Sequence, residues 1–241
     1  MESFFIEDAI EEINTNSVYL ESMSLVEFAQ EAIDTVKRII IDMQERLKKL
    51  INEIASAAFK TKVKLKAKVL RMKLKDGEVV ELPDFGKIFD LYENECHNLV
   101  KELKALQKRG KKVKTEMELQ KFENACMDFE DSIDKCTKEL EAMMEKKVKV
   151  TKASMNIIDE LASGKCRAFN LYADVIREIE RMAAEYDTLV KKVNINAERK
   201  ISAQHRKAMS VHLSCIRRLS HAVSSSLSKT LKRCVFIITS L

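Results

Sequence analysis

Histidine and cysteine are the side chains of this sequence best suited to metal binding or nucleophilic catalysis, but their spacing completes no site. His212 and Cys215 are three residues apart, so on a helix they share one face. A zinc site needs three or four converging ligands, and no carboxylate joins this pair. Cys96 and His97 are adjacent, so a helix would point a nucleophile and its base in different directions. We therefore expect helix-face histidines and a partly buried thiol.

Carboxylates and glycines complete no catalytic motif either. Pairs such as Glu11-Glu12 and Glu130-Asp131 lie in helical sequence, where solvated carboxylates keep ordinary acidity. The chain has only 4 Gly in 241 residues, and none form a phosphate-binding loop. The sequence thus predicts a protein that is not an enzyme, with no catalytic, cofactor-binding or metal-binding residue and no cofactor.

Composition points to long helices with few turns. With 4 Gly and 1 Pro, the chain holds few of the residues that make turns, and 34% of it is charged. The 6 cysteines include no CxxC pair, which favours reduced thiols. No signal peptide or membrane-spanning run is visible. We expect an intracellular (cytoplasmic) location or one inside an assembled particle.

A helical hairpin is predicted over residues 84–163. Asp84 can cap its first helix, whose seam of apolar residues repeats every three or four positions, and Gly110 is expected to end it as a left-handed cap. Thr115 and Glu118 have the spacing of a capping box for the second helix. Two such helices joined by a short turn should fold back antiparallel. A shorter helix capped by Thr151 should follow.

Acidic helices are predicted over residues 1–61. Residues 3–14 are expected to form a short helix with an apolar side made of Phe4, Phe5, Ile6, Ile10 and Ile13. Ser24 and Glu27 suggest a capping box for a helix that runs to about Phe59.

Residues 164–241 are predicted to form one long C-terminal helix. From Lys165 onward the chain runs 77 residues without Gly or Pro, and its first half carries a heptad seam. The seam shifts at Ala197, which relaxes the left-handed supercoil there, so both a continuous rod and a bend remain open.

Residues 62–83 are predicted to form an inserted β-hairpin. Lysine alternates with apolar residues before Asp76-Gly77, and apolar residues follow it. A lone hairpin is marginally stable, so we expect it to pack on the helices or pair with another copy. The self-association residues would be Val63, Leu65, Val69, Val79 and Leu82. The alternative interpretation extends the preceding helix to about Leu74, with Asp76-Gly77 as its stop.

Charge is distributed unevenly along the chain. Residues 1–57 hold 12 acidic and 5 basic residues, whereas residues 191–241 hold 11 basic residues and one acidic residue. Such asymmetry suggests that the basic end binds a polyanion or an acidic protein, or that copies of the chain contact each other head to tail. The candidate contact residues are Lys191, Lys192, Arg199, Lys200, Arg206, Lys207, Arg217, Arg218, Lys229, Lys232 and Arg233.

The sequence as a whole predicts a mainly α protein: an elongated antiparallel helix bundle with a coiled-coil-type hairpin, a long C-terminal helix and one small inserted β-hairpin. The first functional hypothesis is a structural or assembly protein, a scaffold, spacer or particle-internal component that forms a homo-oligomer or binds another helical protein. In composition and helix layout it is similar to small helical virion or scaffolding proteins of tailed phages. The alternatives are salt-sensitive binding to nucleic-acid backbone through the basic helix, and a helical adaptor or carrier domain for a protein partner. Membrane binding is disfavoured.

Overall fold

A computed structural model describes residues 25–195 and 203–241, with the side chains of residues 30–185 and 204–241. This part of the chain is mainly helical, as predicted. Its helices are α1 (Leu25–Ala55), α2 (Ala57–Lys75), α3 (Phe85–Gly110), α4 (Glu116–Glu145), α5 (Lys152–Ser163), α6 (Arg167–Ile195) and α7 (Ala203–Thr239). The strands are β1 (Glu81–Pro83) and β2 (Lys147–Lys149). The predicted helix over residues 3–14 and the capping box that begins at Ser24 lie outside the described residues.

The antiparallel α3–α4 hairpin is confirmed. Thr115 and Glu118 form the expected capping box at the start of α4, and Asp84 caps α3. Gly110 was wrongly predicted as a left-handed cap, because it is the last residue of α3 and its φ is not positive. It is buried, and a Cβ added there would lie 3.2 Å from the ring of Phe122. Its missing side chain therefore lets the two helices approach closely where the hairpin turns.

Of the two alternatives left open for residues 164–241, the continuous rod is wrong, because this region contains two helices that pack side by side. The hydroxyl of Tyr172 in α6 is hydrogen-bonded to that of Ser224 in α7. A single helix would separate these residues by about 78 Å, so α6 and α7 run antiparallel instead. Both helices also pack on α3: Gln107 Nε2 donates to the Met182 carbonyl of α6 at 3.2 Å. The chain folds back because both helices carry apolar faces that the α3–α4 hairpin buries.

The predicted β-hairpin over residues 62–82 is also wrong, and the alternative helix is correct. Residues 57–75 form α2, which ends as the positive φ of Gly77 allows the amides of Gly77 and Glu78 to bond back to the carbonyls of Leu74 and Lys73. Buried Val63, Ala67 and Leu70 recur with helical spacing. Asp-Gly can end a helix as well as turn a hairpin, so the lysine alternation was misleading.

A small antiparallel sheet joins the chain just before α3 to the chain just after α4. Leu82 of β1 pairs with Val148 of β2, and Glu81 pairs with Lys149. The strands come from the linkers before α3 and after α4, so the sheet is not a local hairpin. It places the start of α5 against the start of α3, where a Cβ added at Gly86 would lie 2.4 Å from Ala153.

The long helices lie lengthwise around one apolar core. α1 packs along α6 in the antiparallel sense, and α7 packs on α1, α3 and α4. α2 pairs with α5 and covers the end of the bundle where α3 and α6 begin. α1 was expected to reach about Phe59, but it ends at Ala55, and Ser56 caps α2 through a bond from the Phe59 amide.

Candidate interaction surface

The basic side chains of α7 contact an acidic face of α4. Lys207 lies 3.2 Å from a carboxylate oxygen of Glu123, and Arg218 lies 2.9 Å from Asp134. Lys229 reaches Glu141 at 3.6 Å, and Arg233 pairs with Glu145. Four of the basic side chains that were predicted to contact a partner, Lys207, Arg218, Lys229 and Arg233, are therefore paired with carboxylates of the same chain.

The ion pairs show that α4 and α7 run parallel: the first two pairs share one register, and the pairs of Lys229 and Arg233 are shifted from it by four residues, about one helical turn. Lys207, Arg218 and Lys229 are eleven residues apart, as are Glu123 and Asp134. Eleven residues complete about three helical turns, so each contact recurs on the same side. The pairs are exposed, and each stabilises the fold by well under about 1 kcal/mol.

The other predicted contact residues of the C-terminal region differ in environment. The side chains of Lys191, Lys192, Arg199 and Lys200 lie outside the described residues. Arg206 is half-buried, whereas Arg217 and Lys232 are exposed. The sequence analysis missed α4 as the acidic face because it compared only the two ends of the chain.

His212 and Cys215 are buried against α3 and α4, not exposed on a helix face. The His212 Nε2–H donates to the Leu103 carbonyl oxygen at 3.0 Å. Burial lowers the pKa of His212 to about 4, so the ring is neutral at physiological pH. The Cys215 thiol lies against that of Cys126, and this contact together with burial raises its pKa. In the described ranges, no three His, Cys, Asp or Glu side chains cluster as metal ligands.

The two best-formed depressions of the described surface are small. An open groove of about 270 Å³ lies between α1, α2 and α7, beside Phe236, whose side chain is 70% exposed. A second hollow of about 120 Å³ lies between α3 and α4. Sites for drug-sized ligands and cofactors usually occupy about 300–1,000 Å³. Binding through a broad surface is therefore a better match to this part of the molecule than binding in a pocket.

The surface of α2 differs from that of the other helices in its charge. Its 19 residues contain eight basic side chains and no acidic one. Two contact carboxylates of the described chain: Arg71 pairs with Asp159, and Lys73 lies 3.9 Å from Glu78. Lys62, Lys64 and Lys68 are exposed. This helix therefore keeps much of its positive charge at the surface, unlike α7.

α2 also has two apolar faces. The inner one, which includes Val63, Ala67 and Leu70, packs on the bundle. On the opposite side Leu65 is 61% exposed and Met72 is 56% exposed, with Val69 between them at 40%. Spacings of four and three residues place these three side chains in one line, the outer stripe.

Lysines border the outer stripe on both sides. Helical geometry places Lys62, Lys66 and Lys73 along one edge of it, and it places Lys64, Lys68 and Lys75 along the other. Of the residues predicted for a self-associating hairpin, Val63 and Leu82 are buried, whereas Leu65, Val69 and Val79 are exposed. The helical periodicity of residues 63–74 was the signal that could have identified this surface from the sequence.

Among the described helices, none combines the length and the continuous apolar character that a membrane-spanning segment requires. In comparisons with known proteins, the chain matches no protein-family model, no curated protein and no solved structure.

Proposed function

We propose that this chain is a non-enzymatic structural or assembly protein that associates with another protein surface through α2. The observation that carries this proposal is the outer stripe of Leu65, Val69 and Met72 between two rows of lysines. Single exposed apolar residues are common on proteins and need no explanation. Here three lie on successive turns of one helix, so a partner helix could bury them together.

The rest of the described molecule supports a scaffold more than a catalyst. His212, which could supply acid–base chemistry, is buried, neutral and hydrogen-bonded to a backbone carbonyl. Cys96, Cys166 and Cys215 are also buried, and burial raises the pKa of the first two to about 12 and about 11. Thiols in this environment stay protonated, and protonated thiols are poor nucleophiles. These groups stabilise a bundle that presents α2 at one end.

Removing the outer stripe tests the proposal. The variant Leu65→Ser, Val69→Ser, Met72→Ser should lose association, because it deletes the apolar surface without touching the inner face of α2. Light scattering during size-exclusion chromatography would show the 27.7 kDa monomer for this variant and a larger mass for the wild-type chain. A matched control is Ile41→Ser, Met117→Ser, Met127→Ser, which removes three exposed apolar side chains elsewhere.

The control should keep the wild-type mass, and circular dichroism should show equal helicity in all three proteins. A wild-type chain that is monomeric at every concentration, or an α2 variant that associates as the wild type does, would contradict the proposed function.

A second candidate function is salt-sensitive binding of nucleic-acid backbone, and the charge of α2 favours it. Eight basic residues on one helix could neutralise several phosphates. The only aromatic residue of α2 is the partly buried Phe59, so base stacking is not expected there. The ratio of absorbance at 260 and 280 nm at low and high salt separates the two functions. Copurified nucleic acid that leaves at high salt would favour this second candidate.

A further inference from the structure

The chain itself contains a segment whose chemistry complements the outer stripe of α2. Residues 1–24, which lie outside the described residues, hold six acidic side chains and no basic one. We propose that the acidic segment of one copy docks on the α2 face of a second copy, so that chains associate head to tail. This inference rests on the proposed function and names the partner surface.

The charges of α2 disfavour pairing with a second α2. The outer stripe has the spacing of heptad positions a and d, and Lys66, Lys68, Lys73 and Lys75 then occupy the flanking e and g positions. Two copies of this helix would place lysine against lysine on both sides of the seam. The face therefore requires a partner whose flanking residues are acidic.

The acidic segment matches the outer stripe in apolar spacing and carries the opposite charge. Ile6, Ile10 and Ile13 are spaced by four and three residues, the same spacing as the outer stripe. On a helix, Glu7 would take the flanking e position beside this apolar line, and Glu11 would lie one turn further along the same side, farther from the line. The two elements thus match in apolar spacing and are opposite in charge.

The distance between the two elements favours docking between copies over docking within one chain. α1 has 31 residues and is about 46 Å long. α2 lies beyond its far end, because it pairs with α5, and Ala153 of α5 contacts Gly86 at the start of α3. Residues 15–24 can span at most about 36 Å even when fully extended. Docking on α2 of the same chain would therefore need a longer connection than residues 15–24 provide.

Docking of this kind joins different surfaces of the two copies. Such a heterologous contact repeats from copy to copy, and it produces a ring if the rotation closes and a filament if it does not. We expect a mass that rises with protein concentration and falls with added salt, because lysine–carboxylate contacts at the rim are screened.

Charge reversal on the full chain tests the inference. The α2 swap is Lys62→Glu, Lys66→Glu, Lys68→Glu, and the segment swap is Glu7→Lys, Glu11→Lys, Glu12→Lys. Each swap alone places like charges across the contact and should weaken association by at least about tenfold. An equimolar mixture of the two swaps restores opposite net charge on the two elements and should recover association. Mass is measured by light scattering over a range of concentrations.

The control swap is Lys48→Glu, Lys49→Glu, Lys101→Glu, which makes the same charge change at exposed positions of α1 and α3. It should associate as the wild type does, and circular dichroism should confirm that all variants are folded. If the swaps do not complement each other in the mixture, the inference is wrong. If the serine variant of the outer stripe loses association while the segment swap keeps it, α2 docks a different surface, and only the proposed function stands. A wild-type chain that never associates overturns both.

Discussion

His212 is a buried, neutral histidine whose protonation must weaken the fold. Burial lowers its pKa to about 4, and the nearby charge of Lys111 adds to this effect, whereas Glu185 opposes it. In the unfolded chain the pKa is near the ordinary value of about 6.5. Between these two values the unfolded chain binds more protons than the folded one. The stabilising effect of the neutral ring is therefore complete above about pH 6.5 and is lost as pH falls toward 4.

Replacing His212 with glutamine tests this pH dependence. Glutamine can still donate to the Leu103 carbonyl but does not titrate. We expect the free energy of unfolding of the wild type, relative to His212→Gln, to fall by about 1.4 kcal/mol per pH unit between pH 6.5 and 4. Urea titrations at several pH values measure it. The comparison cancels the carboxylates and the second burial-shifted histidine, His205. A difference that stays constant with pH would show that His212 is not buried neutral.

Thiol reactivity is the second prediction at the residue scale. All six cysteines are free, and only Cys136 is partly exposed. Burial raises the pKa of Cys136 and Cys166 to about 11, and it also raises the pKa of Cys234 well above its usual range. Because the thiolate is the reactive form, native protein should be alkylated slowly, at Cys136 first, whereas denatured protein should react quickly at all six sites. Mass spectrometry after timed iodoacetamide treatment identifies the sites. Fast modification of Cys234 in native protein would contradict the structure.

At the scale of elements, one carboxylate links the starts of two helices. Asp84 Oδ1 accepts from the Lys87 amide at 3.4 Å at the start of α3. It also accepts from the hydroxyl of Thr151, the N-cap of α5, at 3.2 Å and from that of Ser154 in the first turn of α5 at 3.1 Å. Asp84 therefore couples the start of α3 to the start of α5, and so to the position of α2.

Replacing Asp84 should cost more than replacing an ordinary cap. We expect Asp84→Ala to lower the free energy of unfolding by about 2 kcal/mol, because it removes the α3 cap and the acceptor of the buried Ser154 hydroxyl. Thr115→Ala, which removes the cap of α4 alone, should cost about 1 kcal/mol and serves as the comparison. Urea denaturation followed by circular dichroism gives both values. Equal losses would mean that the coupling to α5 contributes nothing to stability.

Helix caps were predictable from the sequence, because they depend on residues a few positions apart. The structure of residues 62–75 was not, because its sequence fits both a strand pattern and a helix pattern. The caps at Asp84, Thr115 and Thr151 follow from side chains that bond amides three residues away, so the sequence specifies them locally. For residues 62–75, a lysine–apolar alternation and a helical period are both present. The buried face against α5 and α7 selects the helix, and that packing is not visible in the segment itself. The outer stripe was missed for the same reason.

At the scale of the whole molecule, the sequence could not predict how the C-terminal region folds back. A heptad seam shows that a helix packs lengthwise, but it does not identify the neighbouring helix. The charges were equally ambiguous. The acidic partner of Arg218 and Lys229 is α4. Its carboxylates alternate with its own apolar seam, a pattern that predicts only a solvated helix face. Tertiary packing decided both questions.

The antiparallel arrangement of α6 and α7 gives the last prediction. Spin labels at Asn170→Cys and Lys229→Cys would be about 88 Å apart on one continuous helix. Both positions are exposed, and Tyr172 bonds Ser224 close to them, so we expect a distance below about 40 Å, a few helix diameters. Labels at Lys207→Cys and Lys229→Cys, both in α7, should give about 33 Å in either arrangement and calibrate the measurement by pulsed electron paramagnetic resonance. The buried native thiols should label slowly, which an unsubstituted chain treated in parallel would verify. A distance for the first pair beyond the range of the method would restore the continuous rod, and it would remove the geometry that places α2 at one end of the bundle.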